Sequence, residues 1–264
     1  MKGGTDMKIT VLVENTTEVN GIEAEHGLSL FLETDEHKIL FDMGQSDLFF
    51  TNAKKLGVDL SLADYAVLSH GHYDHGGGLR LFLDVNKKAP VYLRRDALGP
   101  YYNGAEKYIG LDTSLAECER LVFTDSEYVI GKGIILYSCN GMERTFDLGS
   151  FGLSKKESGK LVSDTFEHEQ YLLMEENGKR VLVSGCSHKG IMNIVKWFEP
   201  DVLIGGFHFS KIPAGSALKA CAEELNKYKT VYYTCHCTGT EQYRYMKKHM
   251  DNLYYLSAGQ TITL

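Results

Sequence analysis

Proline is scarce, at four in 264 residues, and no Ser- or Gly-rich linker divides the chain, so it offers no domain boundary. No apolar run approaches the ~20 residues of a membrane span. Residues 1–14 lead straight into an alternating pattern (Met7, Ile9, Val11, Val13) without a leader-like apolar stretch. None of the six cysteines falls in a CxxC, which points to reduced thiols rather than a disulfide framework. Basic charge is also short, with 28 Lys and Arg against 35 Asp and Glu, a net −7. The basic clusters are no longer than pairs such as Lys54-Lys55 and Arg94-Arg95, a poor basis for nucleic-acid binding. GxxxxGK[ST], GxSxG and GxGxxG are missing, which removes the usual marks of P-loop transfer, serine hydrolysis and dinucleotide binding. The expectation is a soluble cytoplasmic protein with a small-molecule partner, no nucleic acid and no membrane.

What is present begins with a repeat. Residues 25–44 align with residues 167–186 without gaps, with identities at Glu25/Glu167, His26/His168, Leu30/Leu172, Glu33/Glu175 and Leu40/Leu182. Each copy reads as a β-hairpin, the second turning on Asn177-Gly178 and the first on residues 34–36. The same elements follow in both halves: a helix (46–56; 190–198), a strand (65–69; 202–206), a further helix (79–85; 217–228) and a further strand (91–94; 231–234). This order predicts an α/β fold, a four-layer αββα sandwich of two mixed β-sheets in two pseudo-repeated halves. It would be a single domain over residues 1–264. Residues 99–165 break the pattern and read as an irregular, aromatic insertion serving as a lid.

Ten histidines are the other positive feature. Directly after the predicted strand 65–69, His70-Gly-His72-Tyr-Asp74-His75 packs four metal-ligand side chains into six residues. Imidazole suits zinc, iron, nickel or copper, and a carboxylate adds negative charge where cations sit together. Gly71 lets the loop curl, and Gly76, Gly77 and Gly78 let the backbone pass close by. His208 ends a strand equivalent to the one ending at His70, as a substrate-facing imidazole or a metal ligand. His26 and His168 open matched hairpins, and at least one should be structural. His37 and His249 should face solvent. Cys235 and Cys237 should turn away from His236 if the segment stays extended.

His70-Gly-His72-Tyr-Asp74-His75 matches the HxHxDH motif of the metallo-β-lactamase superfamily, which the sequence resembles over nearly its whole length. The resemblance implies that His70 and His72 bind one metal and Asp74 and His75 a second. It implies too that Asp42 orients the loop and that His236 completes the second site. The bridging aspartate usual in that superfamily is absent. His188 is the expected completion of the first site, with His168 and Cys186 as rivals. Residues 24–30 (AEHGLSL), 185–193 (GCSHKGIMN), 205–208 (GGFH) and 236–239 (HCTG) resemble a narrower branch. That branch comprises metal-dependent hydrolases and a 7,8-dihydropterin-6-methyl-4-(β-D-ribofuranosyl)aminobenzene-5'-phosphate synthase-like group.

These features imply two divalent ions, zinc first with iron or manganese as alternatives, that activate water against a small anionic ester or phosphorylated substrate. Asp74 and His208 are the catalytic candidates, and His70, His72, Asp74, His75, His188 and His236 the metal ligands. Arg94, Arg95, Lys189 and Lys211 are candidates to meet the anion, and Tyr101, Tyr102 and Phe151 to line a deeper pocket. A transferase of pterin or phosphoribosyl-aminobenzene type and a non-catalytic metal- or ligand-sensing module are the alternatives.

Overall fold

A computed structural model describes residues 6–264; the first five, where the reading of an absent leader begins, lie outside the described residues. Two seven-stranded mixed sheets pack face to face with helices on both outer sides. The first sheet runs, edge to edge, Thr261–Thr263, Lys8–Val13, Ser29–Glu33, Lys38–Phe41, Tyr65–Val67, Val91–Arg94 and Leu121–Thr124. The second runs Glu127–Gly131, Ile134–Tyr137, Tyr171–Glu176, Lys179–Val183, Val202–Gly205, Val231–Thr234 and Leu253–Tyr255. In both, the first three neighbouring pairs are antiparallel and the last three parallel.

The internal repeat is therefore a repeat of topology, and its register coincides. Leu30 pairs with Phe41 and Leu32 with Ile39 in the first hairpin; Leu172 pairs with Val183 and Met174 with Val181 in the second. The second hairpin turns on Asn177 and Gly178, both at positive φ (52° and 77°), the backbone that an Asn-Gly hairpin turn requires. In the first, Thr34 Oγ accepts the His37 N–H at 2.9 Å, a turn closed by a side chain rather than by glycine.

Alternation along the strands sorts the apolar residues into layers. Ile9, Leu30, Phe41, Val67, Leu172, Val183 and Ile204 meet between the sheets. Their neighbours Leu40, Ala66 and Val91 face out onto the helices Leu48–Lys55 and Leu79–Val85. Leu182, Leu203 and Tyr232 face the helices Ile191–Phe198, Ser216–Leu225 and Thr240–Met246.

The stretch 99–165 is not irregular. Leu121–Thr124 closes the first sheet, and Glu127–Gly131 with Ile134–Tyr137 extends the second. Tyr101–Asn103, Lys107–Tyr108, Leu153–Glu157 and Lys160–Ser163 form a small sheet of their own. These strands hold two to five residues with mostly half-exposed or exposed side chains, so they carry little hydrophobic periodicity for a sequence to display.

Phe41 is fully buried between the sheets. Phe41→Ala should cost ~3–5 kcal/mol of stability, read from the urea midpoint at unchanged slope.

Candidate metal centre

The parallel strands of both sheets end on one edge of the sandwich, and their following loops carry the chemistry. Asp42 follows Lys38–Phe41, residues 70–75 follow Tyr65–Val67, Cys186 and His188 follow Lys179–Val183, His208 follows Val202–Gly205, and His236 follows Val231–Thr234. His72 is extended and precedes the single turn Tyr73–Gly76, which carries Asp74 and His75. Two glycines allow the crowding. A Cβ on Gly71 would lie 2.1 Å from the Ala97 carbonyl oxygen, and one on Gly185 would lie 2.2 Å from Ser69 Oγ.

His70, His72 and His188 each bring one ligand atom to within 4.8 Å of the others. All three rings are buried, and the Nε2 of each has no hydrogen-bond partner. Their outward nitrogens explain the aim. His188 Nδ1 donates to Glu169 Oε2 at 2.7 Å. His70 Nδ1 donates to Ser69 Oγ at 2.8 Å, and that hydroxyl donates to Asp42 Oδ2 at 2.7 Å. Burial, then neighbouring imidazoles, pushes His70 and His72 well below the ordinary histidine range, and burial followed by His208 lowers His188. Neutral imidazoles with free lone pairs are the form that binds metal.

Beside them, His75 Nε2 and His236 Nε2 face each other at 3.2 Å. Their other nitrogens are committed: His75 Nδ1 donates to Asp42 Oδ2 and His236 Nδ1 to Asn15 Oδ1, both at 2.7 Å. Two lone pairs thus point at one another, an arrangement that calls for a shared proton or a cation. Asp74 Oδ2 lies 3.3 Å from His236 Nε2, 3.8 Å from His75 Nε2 and 3.2 Å from His26 Nε2. Burial would raise Asp74, but His75, then His236 and His26, hold its carboxyl well below the usual carboxylate range. Burial likewise opposes charge on His75, and Asp42 and Asp74 outweigh it to raise its pKa. The donor set of both clusters, buried nitrogens plus one carboxylate, fits divalent transition ions.

Eight of the ten histidines gather here. His168 holds the loop instead of offering a lone pair: Nδ1 accepts the Gly71 N–H at 2.9 Å and Nε2 donates to Asp164 at 3.0 Å. His26 stays at the rim with half its side chain exposed. His37 and His249 are away from the cluster and half-buried rather than solvent-facing. Cys186 Sγ lies 3.2 Å from His75 Nε2. Cys235 enters the inter-sheet core, but Cys237 does not follow it. The left-handed backbone at His236 (φ 49°) ends the alternation expected of an extended segment and turns Cys237 back to the cavity beside His236.

That cavity holds about 240 Å³ and is lined by His72 and His188 of the first cluster, Asp74 and His236 of the second, Asn103, Lys107 and Leu153 of the small sheet, Ile109 just after it, and Ser210 and Lys211. Several expected liners lie elsewhere. Tyr101 is buried against His168, ring centroids 4.0 Å apart, Tyr102 packs on Tyr108, and Phe151 covers His208 at 4.3 Å. Lys189 is buried and donates to the Ser138 and Glu169 carbonyls at 2.6 and 2.9 Å, and burial lowers its pKa to about 8. Arg94 is bound to the Thr124 carbonyl and Arg95 lies over the Phe123 ring, so neither faces the cavity. Of the four cations expected to meet an anion, Lys211 alone lines it; Lys107 joins from a segment that showed no motif. Glu14, Asn15, Asp164 and Glu169 also escaped the sequence reading, since single acids and amides carry no spacing signal.

A family model, the metallo-beta-lactamase superfamily, matches residues 22–236. The chain belongs to that superfamily. It is 30% identical over 265 residues to an uncharacterized protein of Methanocaldococcus jannaschii, covering 96% of this chain and 99% of that one. It is 27% identical over 289 residues to a 7,8-dihydropterin-6-methyl-4-(beta-D-ribofuranosyl)-aminobenzene-5'-phosphate synthase of the same organism, covering 97% and 96%. The crystal structure of Tm1679, a metal-dependent hydrolase of the beta-lactamase superfamily, superposes with a TM-score of 0.84 at 32% identity over 98% of this chain and 99% of that one. Among the described residues no helix is long and apolar enough to cross a membrane.

In metal-free form the protein should be acid-labile. His70, His72 and His188 have folded pKa values below 6.5, so below that pH the unfolded chain takes up protons that the native chain refuses. Stability should fall as pH drops below about 6.5, with a slope of at most about 1.4 kcal/mol per unit for each imidazole that stays neutral in the folded chain, partly offset by His75, whose pKa is raised; denaturant unfolding between pH 7 and 5 reads it. A flat profile in the chelator-treated protein would contradict the buried neutral rings.

Proposed function

We propose that the protein is a binuclear-metal hydrolase acting on a small anionic substrate, a phosphorylated compound or an ester, in the cytoplasm. The observation that carries this reading is the trio of buried, unpartnered Nε2 atoms on His70, His72 and His188. Those three residues would hold one ion; Asp74, His75 and His236 would hold the second. Such ions, zinc first with iron or manganese as alternatives, would supply Lewis acidity, lowering the pKa of a water toward neutrality and offsetting charge that develops on substrate oxygen.

Charge arithmetic supports a pair. Among the described residues the buried formal charges are Glu14, Asp42, Asp74, Asp164, Glu169 and Lys189. Each of the five acids contacts a histidine of the cluster. Lysine offsets one carboxylate; two divalent ions would cancel the remaining four, where unpaired charge in a low dielectric costs several kcal/mol apiece.

The chain's own groups have separate tasks. Asp42, Ser69, Glu169 and Asn15 fix the rings of His75, His70, His188 and His236, so those Nε2 atoms need no reorganisation to bind. Asp74 contributes negative charge, and a proton arriving at its Oδ2 has an exit through His26 Nε2, whose ring reaches solvent. His208 faces the same cavity next to Cys186 and Cys237. Lys107 and Lys211 both line the cavity, and among the described residues Asp74 is the one acid in its lining. Both ammonium groups would attract an anion into the cavity.

The synthase relative favours a second reading, in which a second substrate replaces water. A pterin joined to a ribosyl-aminobenzene phosphate is a drug-sized ligand, for which pockets run about 300–1,000 Å³. The cavity here, about 240 Å³, favours the smaller substrate unless the small sheet moves.

Metal-reconstituted protein should turn over at least one phosphomonoester, phosphodiester or carboxylic ester. His72→Ala should lose bound metal and at least ~10²-fold in kcat/KM. Full metal occupancy with no turnover across such a panel would refute the reading. Separately, Lys107→Ala and Lys211→Ala should each raise KM about tenfold for an anionic substrate, with kcat and KM for a neutral one spared.

A further inference from the structure

We propose a third cation position, of soft Cys2His type, formed by Cys186, His208 and Cys237 on the cavity wall. One ligand atom of each lies within 4.8 Å of the others, and both thiols are buried. His208 Nδ1 is a buried nitrogen without a hydrogen-bond partner, while the same ring hydrogen-bonds the Cys237 thiol. The three residues follow three adjacent parallel strands, Lys179–Val183, Val202–Gly205 and Val231–Thr234. Left-handed backbone at His208 (φ 56°) and at His236 (φ 49°) turns the last two loops out of extended geometry beside the first. Gly206 keeps the corner open: a Cβ there would sit 2.3 Å from Cys237 Sγ.

The chemistry of this corner differs from that of the histidine clusters. Thiolate and imidazole together select soft or borderline ions, zinc and cobalt(II) among them, over magnesium or calcium. Three protein donors with the cavity in front leave a coordination position open to a small ligand. Charge also separates the sites. Two thiols that ionise on binding bring two negative charges, so a divalent ion here is neutralised by its own ligands. The four negative charges left to the neighbouring pair are then untouched. Cys186 Sγ, 3.2 Å from His75 Nε2, is the point where the two sites meet.

Chelator-stripped full-length protein, titrated anaerobically with cobalt(II), tests this directly. Expected are three bound equivalents, sulfur-to-cobalt charge-transfer absorption, and release of about two protons with the thiolate-bound equivalent. Cys237→Ser should bind two equivalents and lose roughly half or more of that absorption. Gly206→Ala should do the same without removing a donor. In the unmodified protein, which needs no variant to fold, the third equivalent should protect both Cys186 and Cys237 from iodoacetamide. Saturation at two equivalents, or a Cys237→Ser protein with stoichiometry and absorption unchanged, would overturn the proposal and leave Cys186 as a donor to the histidine clusters alone. His72→Ala should lose an equivalent from the pair yet keep the sulfur absorption. Absence of turnover in fully loaded protein would count against hydrolysis without touching this site.

Discussion

Buried negative charge is the constraint around which this fold is organised. Among the described residues, five carboxylates lie out of water at one edge of the sandwich with a single buried lysine to oppose them. Each contacts a cluster histidine, and three of them fix a ring: Asp42 that of His75, Glu169 that of His188, Asp164 that of His168. Removing one of these acids would release a ring, whereas removing what the rings converge upon would leave charge stranded in a low dielectric. Stability and site geometry are therefore two aspects of one electrostatic arrangement.

Duplication explains how a small chain builds so dense a corner. Two copies of the same hairpin-plus-parallel-strand unit, packed face to face, bring two sets of strand ends to one edge. Each unit delivers polar loops there, and neither set is complete. His70, His72, Asp74 and His75 come from one sheet; Cys186, His188, His208, His236 and Cys237 come from the other. The small sheet made by Tyr101–Asn103, Lys107–Tyr108, Leu153–Glu157 and Lys160–Ser163 then covers the edge and narrows the entrance.

Much of this was legible in the sequence for identifiable reasons. The hairpins announce themselves by alternation and by Asn177-Gly178, and their shared register lies in the aligned residues 25–44 and 167–186. Residues 70–75 stand out because four ligand side chains in six positions rarely arise otherwise. What was hidden lacked periodicity or spacing. The short half-exposed strands of 99–165 have no buried face to pattern them. Glu14, Asn15, Asp164 and Glu169 act through single long-range hydrogen bonds. Cys237 was misplaced because its position depends on one left-handed residue, His236, that no composition rule forecasts. Lys189 looked like a free cation, but burial made it a structural donor.

The seam location of the site has a further meaning. Because donors arrive from both halves, any ion bridging them acts as a clasp, and its affinity is linked to how well the halves have docked. A chain whose sheets had packed out of register would present half a coordination shell and would capture a metal weakly. Under the proposed function, loading with metal would thus proofread the assembled protein, because only molecules whose two halves had already found each other would hold it.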